Sequence, residues 1–193
     1  MTRLFLMRHG NTFESTETPL QIGARTDLPL TEYGKEQALK MANYLKEHSI
    51  LPQGIYASRL QRQMQTAQII AANCKVPWIE EGALAEIDYG LWEGLRAEEV
   101  QRQWPQEYEA WIKQGLWQKK IFASQYEMHQ KQWHTWLATL PEGDIVAISS
   151  NGLIRTMLNG EKVQTGHFCE LQCLDGHWNI KSWNQNPRVL GAV

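Results

Sequence analysis

The chain has 193 residues, with 19 Lys+Arg against 21 Asp+Glu and a formal charge of −2. That balance gives no global field for nucleic acid or an acidic membrane, so an anionic partner must be held by a local group of arginines. Three cysteines (Cys74, Cys169 and Cys173) without scaffold spacing, and apolar runs too short for a signal peptide or a membrane span, suit a cytoplasmic location with no membrane partner.

Leu4-Phe5-Leu6-Met7 reads as a buried strand that ends at Arg8-His9-Gly10. Thr31 is an N-cap residue, and Ala38, Met41, Ala42 and Leu45 recur at helical spacing through Lys46. A second short strand, Ile55-Tyr56-Ala57, is followed by a helix from about Gln61 to Asn73. Pro77 interrupts that helical pattern, and Val76 to Ile79 is expected to be another strand. From about 97 to 140 the composition changes. Trp104, Trp111, Trp117, Trp133 and Trp136 are spaced by Gln and Lys with few β-branched residues. This segment is expected to form helices broken near Pro105 and Gly115, with the tryptophans packed as core. A lid presenting Arg96, Arg102, Lys119 and Lys120 to a substrate is the alternative use of the same segment.

Pro141-Glu142-Gly143-Asp144 punctuates the return to a strand over Ile145 to Ser150, and a helix follows at 152–158. Asp175-Gly176 then marks the turn of a terminal hairpin. The alternation of strands and helices indicates a three-layer α/β/α fold. We expect one domain over residues 1–193, with the helical insertion at about 97–140 and a C-terminal β-hairpin.

In such folds ligands sit at the carboxyl ends of the strands. There, Arg8 and His9 place a guanidinium fork beside an imidazole, an anion clamp next to a nitrogen nucleophile. A metal reading of His167, Cys169, Cys173 and His177 fails on distance. Residues four apart in a strand are separated by about 13 Å, whereas zinc holds each sulfur at about 2.3 Å. The same separation excludes a Cys169–Cys173 disulfide. No metal and no cofactor is expected.

Three segments together resemble the histidine phosphatase superfamily, which includes phosphoglycerate mutases and many small phosphatases. The RHGxT pattern of that family appears as Arg8, His9, Gly10 and Thr12. Its SxLxRxxQTA pattern appears as Ser58, Leu60, Arg62, Gln65, Thr66 and Ala67. A loop similar to its LxExxxGxWEG pattern carries Leu84, Glu86, Gly90, Trp92, Glu93 and Gly94. The segment Gly23 to Gly34 also resembles the lead-in to the family's first helix. The resemblance implies a phosphoglycerate mutase-like fold with a mostly parallel sheet flanked by helices.

It further implies His9 as a covalent nucleophile, Glu86 as the general acid, and Arg8 and Arg62 as phosphate ligands. Ser15 falls where the family places an Asn or Ser against the phosphoryl group. Asp88 and Glu93 are expected to serve as hydrogen-bonding residues of the loop. One departure is plain. The family's second histidine, usual after a late strand, is here Asn151, which can donate an amide hydrogen bond but carries no charge. Helix N-termini after Arg59 and at Asn151 are expected to add backbone donors.

The implied activity is metal-independent hydrolysis of a small phosphorylated substrate, with inorganic phosphate as product. Phosphoglycerate mutase-type transfer and noncatalytic binding of a phospho-ligand are the alternatives.

Overall fold

The computed structural model describes residues 1–188. Six strands, β1 (Thr2–Arg8), β2 (Pro52–Ala57), β3 (Trp78–Glu80), β4 (Gly143–Ser149), β5 (Phe168–Leu174) and β6 (His177–Gln185), form one sheet in the order β3-β2-β4-β1-β5-β6. The β1–β4, β2–β4 and β2–β3 ladders are parallel, and β5 is antiparallel to both β1 and β6. Parallel neighbours require crossovers, and helices supply them. The helices are α1 (Glu32–Glu47), α2 (Gln61–Cys74), α3 (Ala97–Gln103), α4 (Pro105–Gln114), α5 (Tyr126–Leu137) and α6 (Asn151–Leu158).

The side-chain period of two in the central strands divides the core between the two faces. Phe5 and Met7 of β1, with Val146 and Ile148 of β4, pack with Met41, Leu45 and Ile70 of α1 and α2. Leu4, Leu6, Ile145 and Ala147 face the other way, onto Leu153 and Ile154 of α6 and Trp133 and Trp136 of α5. The strands are therefore apolar on both faces, which is why Leu4 to Met7 reads as an unbroken run. Thr31 caps α1 as its position suggests, its hydroxyl accepting from Gly34 N–H at 3.1 Å.

The Trp-rich segment is core. Phe122 meets Tyr89, Trp92, Trp111 and Trp117 edge-on, with ring centroids 5.3, 5.3, 5.1 and 5.2 Å away. T-shaped pairs of this kind contribute about 0.5–1.5 kcal/mol each beyond burial. Arg96, Arg102, Lys119 and Lys120 are exposed, and Lys119 lies 3.6 Å from Glu127. The helical segment breaks near Pro105 and Gly115 as expected, and α5 resumes only at Tyr126. β3 begins two residues later than the pattern suggests, because α2 continues to Cys74 and Lys75 closes it in the left-handed conformation. Cys169 and Cys173 share β5 and are free thiols, and burial pushes the Cys169 thiol up to about 11. No helix among the described residues is long and apolar enough to cross a membrane.

Candidate active site

Adjacent parallel strands β1 and β4 end side by side, Arg8 opposite Ser149. One more ladder bond, His9 N–H to Ser149 C=O at 3.0 Å, carries the pairing past the end of β1. This fixes His9 at the carboxyl edge of the sheet, 3 % exposed. Its Nδ1 lies 2.8 Å from the Gly10 carbonyl. A carbonyl only accepts, so Nδ1 carries the proton and Nε2 presents a lone pair. Burial, then the charges of Arg62 and Arg8, hold the imidazole well below its ordinary pKa, so the ring is neutral near pH 7. Gly10 N–H donates to Thr66 Oγ1 at 3.1 Å, and Thr66 in turn donates to Arg62 C=O at 2.7 Å, which ties this loop to α2.

Arg62 projects from the first turn of α2 and is fully buried. Its Nη1 donates to Thr26 C=O at 2.7 Å and its Nη2 to Gly23 C=O at 2.9 Å. Those two residues are themselves held by Glu93, whose Oε1 accepts from Gly23 N–H and Thr26 N–H, both at 2.9 Å. Arg8 donates from Nη1 to Val163 C=O at 2.7 Å, while Val163 N–H donates to Asn151 Oδ1 at 2.9 Å. A single residue, Val163, thus couples Asn151 to Arg8. In this amide orientation Nδ2 of Asn151 is the group left to serve as a donor. Neither Arg8 nor Arg62 has an ion-pair partner among the described residues, and the Nε of each is buried without an acceptor.

Glu86 is 4 % exposed at the edge of the same cluster. Its Oε1 accepts from Ile87 and Leu153 N–H, both at 2.9 Å, and its Oε2 from Gly152 N–H at 3.0 Å. Two opposing causes act on its proton. Burial favours the neutral acid, while the three amides and Arg62 favour the carboxylate, and burial outweighs them, so the pKa is raised. The Gly152 and Leu153 amides in the first turn of α6 are therefore spent on Glu86 and are not open donors for an anion, contrary to the expectation from sequence. At the start of α2 the Gln61 amide is likewise occupied, donating to Asp27 Oδ1 at 2.6 Å.

Gly152 fits where no side chain can. A Cβ there would lie 2.3 Å from the Tyr89 hydroxyl and 2.6 Å from Glu86 Oε1. Gly152→Ala is expected to displace Glu86, lower turnover by about 10²-fold or more, and destabilise the fold by roughly 1–3 kcal/mol. Steady-state kinetics and urea denaturation check both.

The site also predicts a pH response of stability. An unfolded chain protonates His9 near about pH 6.5, and the folded chain does not. The stability His9 contributes above that pH is therefore lost as pH falls below it. Glu86 has the opposite sign: with its folded pKa raised, its contribution is present at low pH and is lost as pH rises through that value. Replacing His9 by Asn removes only the first effect. The loss of stability between about pH 6.5 and 5 should become shallower, by at most about 1.4 kcal/mol per pH unit. Urea titrations of both proteins across that range measure it.

Of the residues singled out in the sequence, Arg8, His9, Arg62, Glu86 and Asn151 converge. Ser15 does not join their hydrogen-bond network among the described residues; it lies in an exposed turn at 14–17. Asp88 serves its own loop, accepting from Gly90 N–H at 2.8 Å and pairing with Arg25 at 3.0 Å. Among the described residues no group of three or more His, Cys, Asp or Glu side chains is placed to hold a metal ion. Sequence reading missed Val163 and the Gly23 and Thr26 carbonyls, which act through backbone and leave no side-chain signal. It also gave Glu93 too small a role, although the carboxylate stands within a recognised motif.

With this geometry in view, three comparisons place the chain. Residues 4–186 match the sequence profile of the histidine phosphatase superfamily (branch 1). Phosphoserine phosphatase 1 of Hydrogenobacter thermophilus is 35% identical over 116 residues, which is 59% of this chain and 52% of that protein, so this match spans about half of the relative's length. The uncharacterized phosphatase PhoE of Bacillus subtilis is 26% identical over 210 residues, covering 100% of both chains. Among solved structures, a mycobacterial glucosyl-3-phosphoglycerate phosphatase complexed with VO3 superimposes with a TM-score of 0.81 at 22% identity, covering 94% of this chain and 98% of that one, a likeness of fold. The chain belongs to the histidine phosphatase superfamily.

Proposed function

We propose that the protein is a metal-independent phosphatase that hydrolyses a small phosphomonoester through a phosphohistidine on His9. The observation that carries this reading is electrostatic. Two guanidinium groups without ion-pair partners among the described residues, the fully buried Arg62 and the half-buried Arg8, flank a neutral imidazole whose Nε2 lone pair is free. Buried charge is costly unless it is compensated, and a phosphoryl group supplies nearly two negative charges. Arg8 and Arg62 hold those charges and spread them in the transition state.

In the first half-reaction His9 Nε2 bonds to phosphorus, the phosphorus–oxygen bond to the leaving group breaks, and Glu86 gives its proton to the departing alkoxide. In the second, the Glu86 carboxylate takes a proton from water as the water oxygen bonds to phosphorus. The nitrogen–phosphorus bond breaks, and inorganic phosphate leaves. The raised pKa of Glu86 suits the acid role, and its loss of the proton in the first step readies it as the base for the second.

Release of inorganic phosphate from a panel of phosphomonoesters, with chelator present, tests the activity. Transfer to a second acceptor without release would identify a mutase, and binding without turnover a phospho-ligand binder.

Asn151 takes the place of a cationic donor. Its Oδ1 anchors Val163, and through it Arg8, while its Nδ2 donates to the phosphoryl group. Asn151→Asp separates these two tasks. The carboxylate still accepts from Val163 N–H, but it loses the donor and sets a negative charge against the substrate. Turnover should fall by about 10²–10³-fold with stability nearly retained. Asn151→Ala should lose both, leaving Val163 N–H unmatched at a cost of about 1–3 kcal/mol. Kinetics paired with denaturation distinguishes the variants, and equal activity of Asp and Asn at this position would remove the donor role.

A further inference from the structure

A cavity of about 430 Å³ opens where α4 and α6 end, and its lining includes Ile112, Arg155, Gly160, Glu161 and Lys162. Arg155 is the unusual group in it. Only 6 % exposed, it stacks its guanidinium on the Trp111 ring, 4.7 Å from the centroid, and donates from Nη2 to Ile112 C=O at 3.2 Å. Its Nε is buried without an acceptor, and no carboxylate pairs with it among the described residues. Arg3, Arg25 and Arg59, by contrast, pair with Asp144, Asp88 and Glu80. Among the described residues, the arginines that are not exposed and lack such a partner are the buried Arg62 and Arg155 and the half-buried Arg8.

Lys162 adds a second charge. It precedes Val163, whose carbonyl holds Arg8, and the charges of both Arg8 and Arg155 reach its ammonium. Lys113, also at the cavity, is already matched by Glu109 at 2.5 Å, and Glu161 is the acidic residue in the lining beside Arg155 and Lys162. Arg155 follows Asn151 by four residues, about 6 Å further along α6. Lys162 in the lining adjoins Val163, which both Arg8 and Asn151 hold, so the cavity lies next to the phosphoryl site.

We propose that this cavity is a second anion subsite, which receives an acidic group at the far end of the phosphorylated substrate. The substrate class is then a phosphomonoester that carries a carboxylate or a second phosphate, in preference to one with a neutral tail. This inference rests on the phosphomonoesterase reading above, and its test is a binding measurement that needs no turnover.

Alkylphosphonates of increasing methylene length, ending in a carboxylate, a second phosphonate or the carboxylate methyl ester, are titrated calorimetrically into the full chain. Competition with inorganic phosphate establishes that they occupy the phosphoryl site. At the best length an acidic tail should bind at least about tenfold tighter than the methyl ester. Whichever acid gains more identifies the source of the charge. The advantage should shrink toward unity in Lys162→Gln, an exposed position whose replacement leaves the core packing alone, and in Arg155→Gln if that variant folds. Equal binding of acid and ester at every length, or an acid advantage that survives Lys162→Gln undiminished, overturns the subsite alone. Failure of every phosphonate to compete with phosphate overturns the phosphatase reading and the subsite with it.

Discussion

Replacing His9 by alanine is expected to abolish turnover, with a loss of about 10⁴-fold or more. The size of the effect follows from what the imidazole supplies. In the proposed mechanism it is the neutral nucleophile at the carboxyl edge of the sheet, its Nδ1 tied to the Gly10 carbonyl and its basicity suppressed by burial and two guanidinium charges. A nearby water is a poor replacement, because it is a weak nucleophile until a positioned base takes its proton. Rapid mixing with labelled substrate, followed by a basic quench, should trap an adduct that is stable to base and labile to acid. His9→Ala should form none. An adduct on another residue, or turnover that survives the substitution, would end the assignment. The same arginines should still bind inorganic phosphate in His9→Ala, so calorimetry separates a lost nucleophile from a collapsed pocket.

The parts of this site that were legible in the sequence are those that act through side chains close to a local structural signal. Arg8 and His9 follow an apolar run and precede a glycine, and Thr31 caps a helix whose buried face recurs at regular spacing. Asp175-Gly176 turns a hairpin as its composition suggests, both residues at positive φ. The sheet order β3-β2-β4-β1-β5-β6 was not legible, because it depends on which distant segments pair. The same holds for the groups that position the arginines. The Gly23, Thr26 and Val163 carbonyls would serve with almost any side chain, so their residue identities say nothing of their task. The error about the α6 amides has a related origin. A helix N-terminus is an anion site only while its N–H groups are unclaimed, and here a buried carboxylate 66 residues away in sequence claims Gly152.

Glu86→Gln should slow hydrolysis of alkyl phosphates by about 10²–10⁴-fold, yet slow an aryl phosphate with a nitrophenolate leaving group by only about tenfold. An alkoxide needs a proton as its bond to phosphorus breaks, whereas nitrophenolate is stable enough to leave without one. The contrast matters because the substitution is not innocent. Both carboxylate oxygens accept backbone N–H groups, from Ile87 and Leu153 on one side and Gly152 on the other. A glutamine amide has one acceptor oxygen, so its NH2 must oppose at least one of these donors, at a cost of about 1–3 kcal/mol. That disturbance at the start of α6 would also move Asn151, and it would slow alkyl and aryl substrates alike. Only loss of the proton donor separates them. Hydrolysis rates of both ester classes, measured on wild type and Glu86→Gln beside their urea midpoints, therefore divide chemistry from packing. Parallel slowing of the two classes would leave Glu86 as a structural anchor for α6 and return the search for the acid to the remaining groups around His9.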